Sequence, residues 1–195
     1  MHTNVHDKGK MKNTAITAGL AALCIIISGC TKQSLETTYS NQEERIETYV
    51  QTLLAETDDN GDPLHSAVRN GGATRVILTP GTGPALSKGG TVSFYYAGYI
   101  FNGSLSANNL FATNNETFAA ENGWELTDAD YSIKKVRLTK DSLLEGLYLG
   151  LHGVRAGEVC MILFSGEYGY GEKHFGTIPA NSALAYQIWV TEVSN

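Results

Sequence analysis

The side chains that could do chemistry in this sequence are chiefly tyrosines among glycines, rather than nucleophiles or metal ligands. Tyr168-Gly169-Tyr170-Gly171 is followed closely by Ile178-Pro179, so a phenol hydroxyl and apolar groups occur in turn-forming segments. The glycines of this stretch lack the G-x-G-x-x-G order of a dinucleotide loop. His152 and His174 have no partner at metal-ligand spacing. The pattern favours binding by apolar and hydroxyl groups, with no metal and no cofactor.

The cysteines and the charge exclude further classes of function. Cys160 lies within the apolar run Val159–Phe164 with no His or Lys beside it, which predicts a core residue rather than a nucleophile. The 195 residues carry a net charge of −6 and no basic stripe. A nucleic-acid partner therefore has little electrostatic support, and we expect none.

Short strands and one apolar helix dominate the C-terminal two thirds of the chain. Asp141–Leu151 is rich in leucine and predicts a short helix, capped by Asp141 and ended by Gly150 or Gly153. Strands are predicted at Thr74–Thr79, Val92–Phe101, Tyr131–Leu138, Glu158–Phe164 and Ala183–Glu192. This order of elements predicts an α+β fold in which an antiparallel sheet covers the helix.

A second helix is predicted before the strands. Asn41–Glu56 has apolar residues at helical spacing, with Ser40 or Asn41 as its cap. We interpret it as a helix packed on the domain, with a dimerisation helix as the alternative. The acidic segment Asp58–Pro63 lacks the Gly and terminal Glu of a calcium loop and predicts a solvated turn.

The N-terminus has the pattern of a targeting signal. Lys8, Lys10 and Lys12 precede an apolar run, Ala15–Ile27, that is too short to span a bilayer comfortably and is followed by Cys30. This arrangement resembles a bacterial lipoprotein signal, in which the cysteine receives lipid. A buried helix or an uncleaved anchor is the alternative, and Met1 or Met11 is the start. We predict a signal peptide over 1–29, a tether and amphipathic helix over 30–64, and a domain over 65–195.

Several motifs together resemble the FKBP-type peptidyl-prolyl cis-trans isomerase domain. They are Val76–Gly83, Tyr96-Ala97-Gly98, Leu143–Gly150, Val154–Glu158, Tyr168–Lys173 and Thr177–Leu184. The resemblance covers about Arg75 to Val193, with a divergent middle. It implies an FKBP-like antiparallel β-sheet wrapped around one short α-helix, here preceded by an N-terminal helix and tether.

The chemistry that this family performs needs no nucleophile. Rotation about an Xaa-Pro bond faces a barrier of about 18–20 kcal/mol, which a dry apolar pocket with a few placed donors lowers by binding the twisted amide. The resemblance implies that Tyr170 offers its hydroxyl, and the Ile178 backbone its N–H, to the substrate. It implies that the pocket is formed by Tyr96, Phe111, Leu143, Leu144, Leu147 and Tyr186. The alternative is that Tyr96, Leu144, Leu147 and Tyr186 belong only to the core.

The sequence departs from the family pattern at three pocket positions. Leu147 replaces the usual Trp floor, Tyr186 replaces a Phe, and Ala112 replaces the Asp that normally follows the aromatic residue. The segment Ser104–Asp130 is also longer than in minimal members. We therefore expect an isomerase that assists folding of exported proteins, with activity reduced or lost through Ala112 and Leu147. The alternatives are a non-catalytic FKBP-like binding or chaperone module of the cell envelope, and a structural envelope lipoprotein.

Partners and location follow from both resemblances. We expect binding of proline-containing polypeptides, a macrolide-type ligand, and a membrane through lipid on Cys30. The residues after Cys30 contain no acidic run of the kind that some bacteria use to send lipoproteins to the cell surface. This favours a lipid-anchored protein of the cell envelope that faces the periplasm, in either the inner or the outer membrane.

Overall fold

The computed structural model describes residues 14–124 and 130–195, with side chains from Lys32 onward. The predicted charged region at Lys8–Lys12 lies outside the described residues, as does part of the Ser104–Asp130 segment. The chain divides into two units, 1–38 and 39–195. Of the first unit the structure describes the beginning of helix α1 (Thr14–Leu54). None of the helices described is both long enough and apolar enough to span a membrane.

Seven strands form one sheet in the second unit, and every strand pair is antiparallel. In chain order the strands are β1 (Ser66–Asn70), β2 (Ala73–Thr79), β3 (Thr91–Ile100), β4 (Leu110–Thr113), β5 (Lys134–Arg137), β6 (Val159–Phe164) and β7 (Leu184–Ser194). Their spatial order is β1-β2-β6-β7-β3-β4, and β5 pairs with β3 beside β4. Two short helices, α2 (Glu116–Glu121) and α3 (Glu145–Leu151), complete the fold.

The outer face of the sheet is covered by α1 from Tyr39 to Leu54. Ile46 and Val50 of this helix are buried in a cluster with alternate residues of the strands, among them Leu163. The Tyr49 ring meets Phe101 edge-on, with centroids 5.4 Å apart. The prediction that this helix packs on the domain is confirmed.

The inner face of the sheet carries α3, which approaches β6 very closely. A Cβ added at Gly146 would lie 2.2 Å from the Phe164 ring, and one added at Gly150 would lie 2.3 Å from Ile162. Since the two glycines are four residues apart, they share the helix face that meets the strand. Larger residues at either position would lift α3 away from the sheet.

A buried ion pair holds the C-terminal end of α3. The Arg75 guanidinium on β2 lies 3.3 Å from a Glu158 carboxylate oxygen, and both side chains are almost wholly buried. Arg75 Nη1 also donates to the carbonyls of Gly150 and His152, at 3.0 and 2.9 Å. One side chain thus joins β2, the end of α3 and the turn before β6.

The sequence predictions agree with the structure for the strongly patterned elements. The α+β fold, the antiparallel sheet with its short helix, and strands β2, β3, β6 and β7 are confirmed. Cys160 is fully buried, as predicted. Asp58 accepts the backbone N–H groups of Asn60 and Asp62, which confirms a turn in the acidic segment.

The starts of two helices were predicted wrongly. Helix α3 begins at Glu145 rather than after Asp141, because Leu144 is extended with ψ 144° and so forms the helix boundary. Ser40 and Asn41 do not cap a helix, since both lie inside α1, which also includes the polar segment 31–40. Strands β1 and β4 and helix α2 were not predicted. Their sequences show neither strong alternation nor a helical apolar stripe.

Replacing Arg75 by Met is expected to lower the free energy of unfolding by about 3–5 kcal/mol, because Glu158 would remain buried without its partner. Chemical denaturation measures this loss. The matched control is Arg69→Met, which removes an exposed pair with Glu47 at 2.7 Å and is expected to cost less than about 1 kcal/mol. Equal losses in the two variants would contradict the importance of the buried pair.

Candidate active site

An open cavity of about 340 Å³ lies on the inner face of the sheet, beside α3. Its residues come from β3, β4, β5, the start of α3 and the residues just before it, β7 and the loop that follows β6. They are Phe94, Tyr96, Phe111, Ala112, Lys134, Leu143, Leu144, Leu147, Tyr170, Phe175, Gly176, Thr177 and Tyr186. Seven of the eight predicted pocket residues therefore lie around one cavity, and the exception is Ile178.

The floor of the cavity is formed by Leu147 and Tyr186. Both are largely buried. The Tyr186 ring is stacked on Phe164, with centroids 6.0 Å apart and an interplanar angle of 14°. Phe164 is the residue that Gly146 contacts, so the position of α3 and the position of the Tyr186 ring are fixed by the same packing.

Aromatic rings from three strands form one wall. Tyr186 on β7 meets Phe111 on β4 edge-on, with centroids 5.8 Å apart, and lies 6.1 Å from Tyr96 on β3. A Cβ added at Gly98 would lie 2.7 Å from the Phe111 ring. Gly98 is therefore the residue that allows Phe111 to lie against β3 and Tyr186.

The backbone of Tyr96 is held by residues at the end of β4. The Asn114 side chain accepts the Tyr96 N–H at 2.7 Å, and the Thr113 hydroxyl donates to the Tyr96 carbonyl at 2.6 Å. Asn114 also donates to the Ser132 carbonyl at 2.9 Å. These bonds connect the strand that bears Tyr96 with the middle of the Ser104–Asp130 segment and with the residues that follow it.

Tyr170 and Phe175 form the outer lip. Their rings are stacked with centroids 4.5 Å apart and an interplanar angle of 8°. Phe175 is 58% exposed, which is high for a phenylalanine. Since the loop presents an apolar ring to solvent beside an apolar cavity, the lip could contact a bound chain as well as the cavity floor.

The described residues that line the cavity carry neutral hydroxyls and no carboxylate. Burial raises the pKa of Tyr186 far above its ordinary value, and the nearby Tyr170 and Tyr96 phenols raise it further. Burial also raises the pKa of Tyr170, with a smaller effect of Tyr96. Lys134 is the single charged side chain among the described lining residues. Ala112, which the sequence motifs predict to stand in place of the family's Asp, also lines the cavity.

The predicted role of the Ile178 N–H as a substrate donor stays a prediction, because this N–H is bonded within its own loop. Ile178 is buried, and its N–H donates to the Phe175 carbonyl at 2.8 Å, while the Phe175 N–H donates back at 3.0 Å. This group is therefore already satisfied within the loop. By contrast, the Leu144 N–H has no partner in the described part of the chain, and Leu144 lines the cavity.

Sequence reasoning missed several lining residues. Phe94, Lys134, Phe175, Gly176 and Thr177 were not predicted. Phe94 is two residues before Tyr96, so strand alternation places both on the same face and could have identified it. Phe175 is an aromatic residue in a polar, glycine-containing loop, which is also a signal of an exposed binding residue.

Comparisons with known proteins agree with this geometry. The family model described as FKBP-type peptidyl-prolyl cis-trans isomerase matches residues 83–191. The peptidyl-prolyl cis-trans isomerase FKBP12 of Vicia faba is 29% identical over 121 residues, covering 61% of this chain and 96% of the relative. FK506-binding protein 1 of Aspergillus oryzae is 26% identical over 123 residues, covering 63% of this chain and 99% of the relative.

Two bacterial structures share the fold. FkpA from Escherichia coli aligns with a TM-score of 0.50 and 19% identity, over 96% of this chain and 75% of that one. A peptidyl-prolyl cis-trans isomerase from Pseudomonas syringae aligns with a TM-score of 0.53 and 21% identity, over 82% of this chain and 96% of that one.

The family match covers more than half of the chain, and the fold agrees with it. The chain belongs to the family of FKBP-type peptidyl-prolyl cis-trans isomerases.

The buried phenols predict how stability changes with pH. Tyrosines of the unfolded chain ionise near the ordinary pKa of 10.0, whereas burial raises the pKa of Tyr96, Tyr170 and Tyr186 in the folded state. The folded state binds these protons more tightly. Their contribution to stability is therefore fully present below about pH 10 and is lost as pH rises through the folded-state pKa values.

Urea unfolding at successive pH values measures this loss. We expect the Tyr186→Phe variant to lose less stability above about pH 10 than the unaltered chain, because its buried ring cannot ionise. Identical alkaline losses in the two proteins would contradict burial of the Tyr186 hydroxyl in the folded state.

Proposed function

We propose that the cavity binds the prolyl ring of an exported polypeptide and accelerates rotation of the Xaa-Pro bond by binding the twisted amide. The observation that carries this proposal is the convergence of Tyr96, Tyr170 and Tyr186 on one apolar cavity that contains no carboxylate among its described residues. Such a site can desolvate and orient an amide, but it offers no acid, base or nucleophile among these side chains at neutral pH.

Desolvation favours the twisted amide. Resonance gives the planar amide more charge separation than the twisted form, in which the nitrogen lone pair is withdrawn from the carbonyl. A low-dielectric cavity therefore destabilises the planar form more than the twisted one. Burial raises the pKa of Tyr186 and of Tyr170, in keeping with a place where charge is disfavoured.

Two donors are available to hold the substrate. The Tyr170 hydroxyl has no protein hydrogen-bond partner within residues 32–124 and 130–195, and its raised pKa keeps the proton in place at neutral pH. The Leu144 N–H faces no protein acceptor in that same part of the chain. These two donors would bind the substrate carbonyls on either side of the prolyl ring. The substrate would then be restricted to conformations in which the Xaa-Pro bond is twisted. The same cavity is the expected site for a macrolide-type ligand.

The Tyr170→Phe variant tests the proposed donor. It removes one hydroxyl and leaves the ring stack with Phe175 in place. We expect kcat/KM for Xaa-Pro peptides to fall about three- to tenfold, corresponding to one hydrogen bond made in the transition state. NMR exchange between the cis and trans peptide signals measures the rate.

Tyr148→Phe is the matched control, because Tyr148 packs beside the core and does not line the cavity. Its rate should equal that of the unaltered chain. Absence of any acceleration by the unaltered protein would refute the isomerase proposal, and an equal fall in both variants would refute the role of Tyr170.

The second candidate function is a non-catalytic binding or chaperone module. Ala112 and Leu147 favour it, since the cavity lacks the polar Asp and the large rigid Trp of the family pattern. A smaller floor can still bind an apolar ring, but it restrains the ring less. Peptide binding without rate enhancement in the same NMR experiment would establish this alternative.

We infer the place of action from the N-terminal sequence. Cys30 ends a charged-then-apolar leader of the bacterial lipoprotein type, which supports a lipid anchor in the cell envelope, facing the periplasm. Substrates would then be exported polypeptides that fold after crossing the membrane. The isomerase domain would act on them while held near the membrane by its lipid.

Cys30→Ser is expected to abolish lipid attachment. In a bacterial host supplied with radioactive fatty acid, the unaltered chain should become labelled and the Cys30→Ser variant should not. Cys24→Ser is the matched control, since Cys24 lies within the apolar run and is expected to leave labelling intact. Label retained by Cys30→Ser, or lost equally in Cys24→Ser, would contradict the proposed anchor site.

A further inference from the structure

Helix α1 contacts the two backbone segments that support the outer lip of the cavity. The contact is made by Gln42, whose side chain is 5% exposed. Its Nε2 donates to the Asn181 carbonyl at 2.6 Å, and its Oε1 accepts the Gly166 N–H at 2.8 Å. One amide on the helix therefore bridges the two ends of the connection between β6 and β7.

Gly166 begins the turn that carries Tyr170. The N–H groups of Gly169 and Gly171 both donate to the Gly166 carbonyl, at 3.1 and 2.9 Å. Tyr170 is thus enclosed between two residues whose backbone is fixed to Gly166. A displacement of Gly166 would be passed directly to the Tyr170 ring and hydroxyl.

Asn181 ends the second segment, which starts at the cavity rim with Phe175, Gly176 and Thr177. The Asn181 N–H donates to the Gly171 carbonyl at 2.6 Å, so this segment is also tied to the turn that carries Tyr170. Asn181 has a positive φ of 59°, an uncommon conformation that the surrounding contacts must maintain.

The two segments meet without free space between them. A Cβ added at Gly166 would lie 2.7 Å from the Asn181 backbone. A second residue of α1 strengthens the contact, since the Tyr39 hydroxyl donates to Asn181 Oδ1 at 2.6 Å. Burial raises the pKa of Tyr39, with Glu172 and Glu167 adding to it, so this hydroxyl keeps its proton at neutral pH.

Docking of the helix does not require these polar bonds. Ile46 and Val50 already bury their side chains against the outer face of the sheet. A buried amide is costly unless both of its ends are bonded, and an apolar residue would dock the helix with less desolvation. The buried position of Gln42 is better explained by its bonds to Gly166 and Asn181 than by a contribution to docking of the helix.

We propose that Gln42 is a positioning residue for the isomerase reaction, which acts by fixing the Gly166 and Asn181 segments so that Tyr170 and the rim meet the substrate in one geometry. This inference rests on the proposed role of Tyr170. It makes the helix that precedes the sheet part of the frame of the active site. The helix reaches the cavity through the outer lip, with no contact to the substrate.

Gln42→Met in the full chain tests this role, because Met preserves length and volume while removing both hydrogen bonds. The matched control is Gln51→Met, the same change on the same helix at an exposed position that bonds only to Glu47. We expect Gln42→Met to lower kcat about two- to tenfold with KM changed less, since the lost bonds affect geometry rather than the apolar contacts. Gln51→Met should leave both parameters unchanged.

Hydrogen exchange supplies a readout that does not depend on activity. The N–H groups of Asn181 and Ile178 donate to Gly171 and Phe175 and have no direct bond to Gln42. If the Gln42 side chain holds the lip, we expect Gln42→Met to speed hydrogen exchange at these two N–H groups. Exchange in β6 and β7 should stay unchanged. Unchanged exchange at Asn181 and Ile178 would overturn the inference.

Tyr39→Phe is the second variant and covers the case in which Gln42→Met fails to fold. It removes a single hydroxyl and should give a smaller change in the same direction, in kcat and in Asn181 exchange. If the unaltered protein is inactive but Gln42→Met still speeds hydrogen exchange in the lip, the proposed function is refuted and the positioning of the lip is not. An active unaltered protein whose kcat is insensitive to both variants would refute the positioning role alone.

Discussion

The arrangement of the inner face depends on the buried contact between Arg75 and Glu158. Helix α3 has only seven residues and no basic side chain in its last turn. A helix of this length is not stable in isolation, and its terminal carbonyls need donors. Arg75 supplies them from a neighbouring strand, by bonding the carbonyls of Gly150 and His152. Glu158 in turn neutralises the guanidinium and accepts the Arg155 N–H at 3.2 Å. The ion pair thus determines where α3 ends as well as which strands it touches.

The geometry of the cavity follows from this placement. With its C-terminal end fixed, α3 can lie flat on β6 only because Gly146 and Gly150 have no side chains at the contact. Leu147 and Tyr186 line the same cavity, and the Phe164 ring, which lies close to Gly146, is stacked with Tyr186. The cavity floor is therefore rigid even though Leu147 is smaller than the Trp of the family pattern. Rigidity here comes from packing beneath the floor rather than from the size of the floor residue.

The sequence predicted secondary structure well where burial requires a regular pattern of apolar residues. Strands β3, β6 and β7 have long runs of apolar, β-branched or aromatic residues, since they lie in the middle of the sheet and are covered on both faces. Strand β1 was missed because it is an edge strand, only partly covered, with the sequence Ser-Ala-Val-Arg-Asn. Most of the pocket could be predicted from family motifs. The pairing of Ile178 with Phe175 could not, because a local backbone bridge leaves no mark on residue types. Arg75 and Gln42 were equally hidden, as each acts through partners that are 75 or more residues away in the chain.

The missing carboxylate changes what kind of catalyst this site can be. The protein carries a net charge of −6, yet the described cavity lining contains one lysine and no acid. Ala112 on β4 pairs with Gly98 on β3, and the Phe111 ring lies close to Gly98, so the wall at this point is apolar. A charged group there would hold water and weaken the low-dielectric environment that favours the twisted amide. Without a charged group at this position the cavity holds less water, but it also lacks a polar group that would orient the substrate. Orientation must then come from the outer lip, where the Tyr170 hydroxyl is the neutral donor that the described loops hold beside the cavity. In the proposed mechanism, selectivity for the twisted amide therefore depends on how firmly that lip is held.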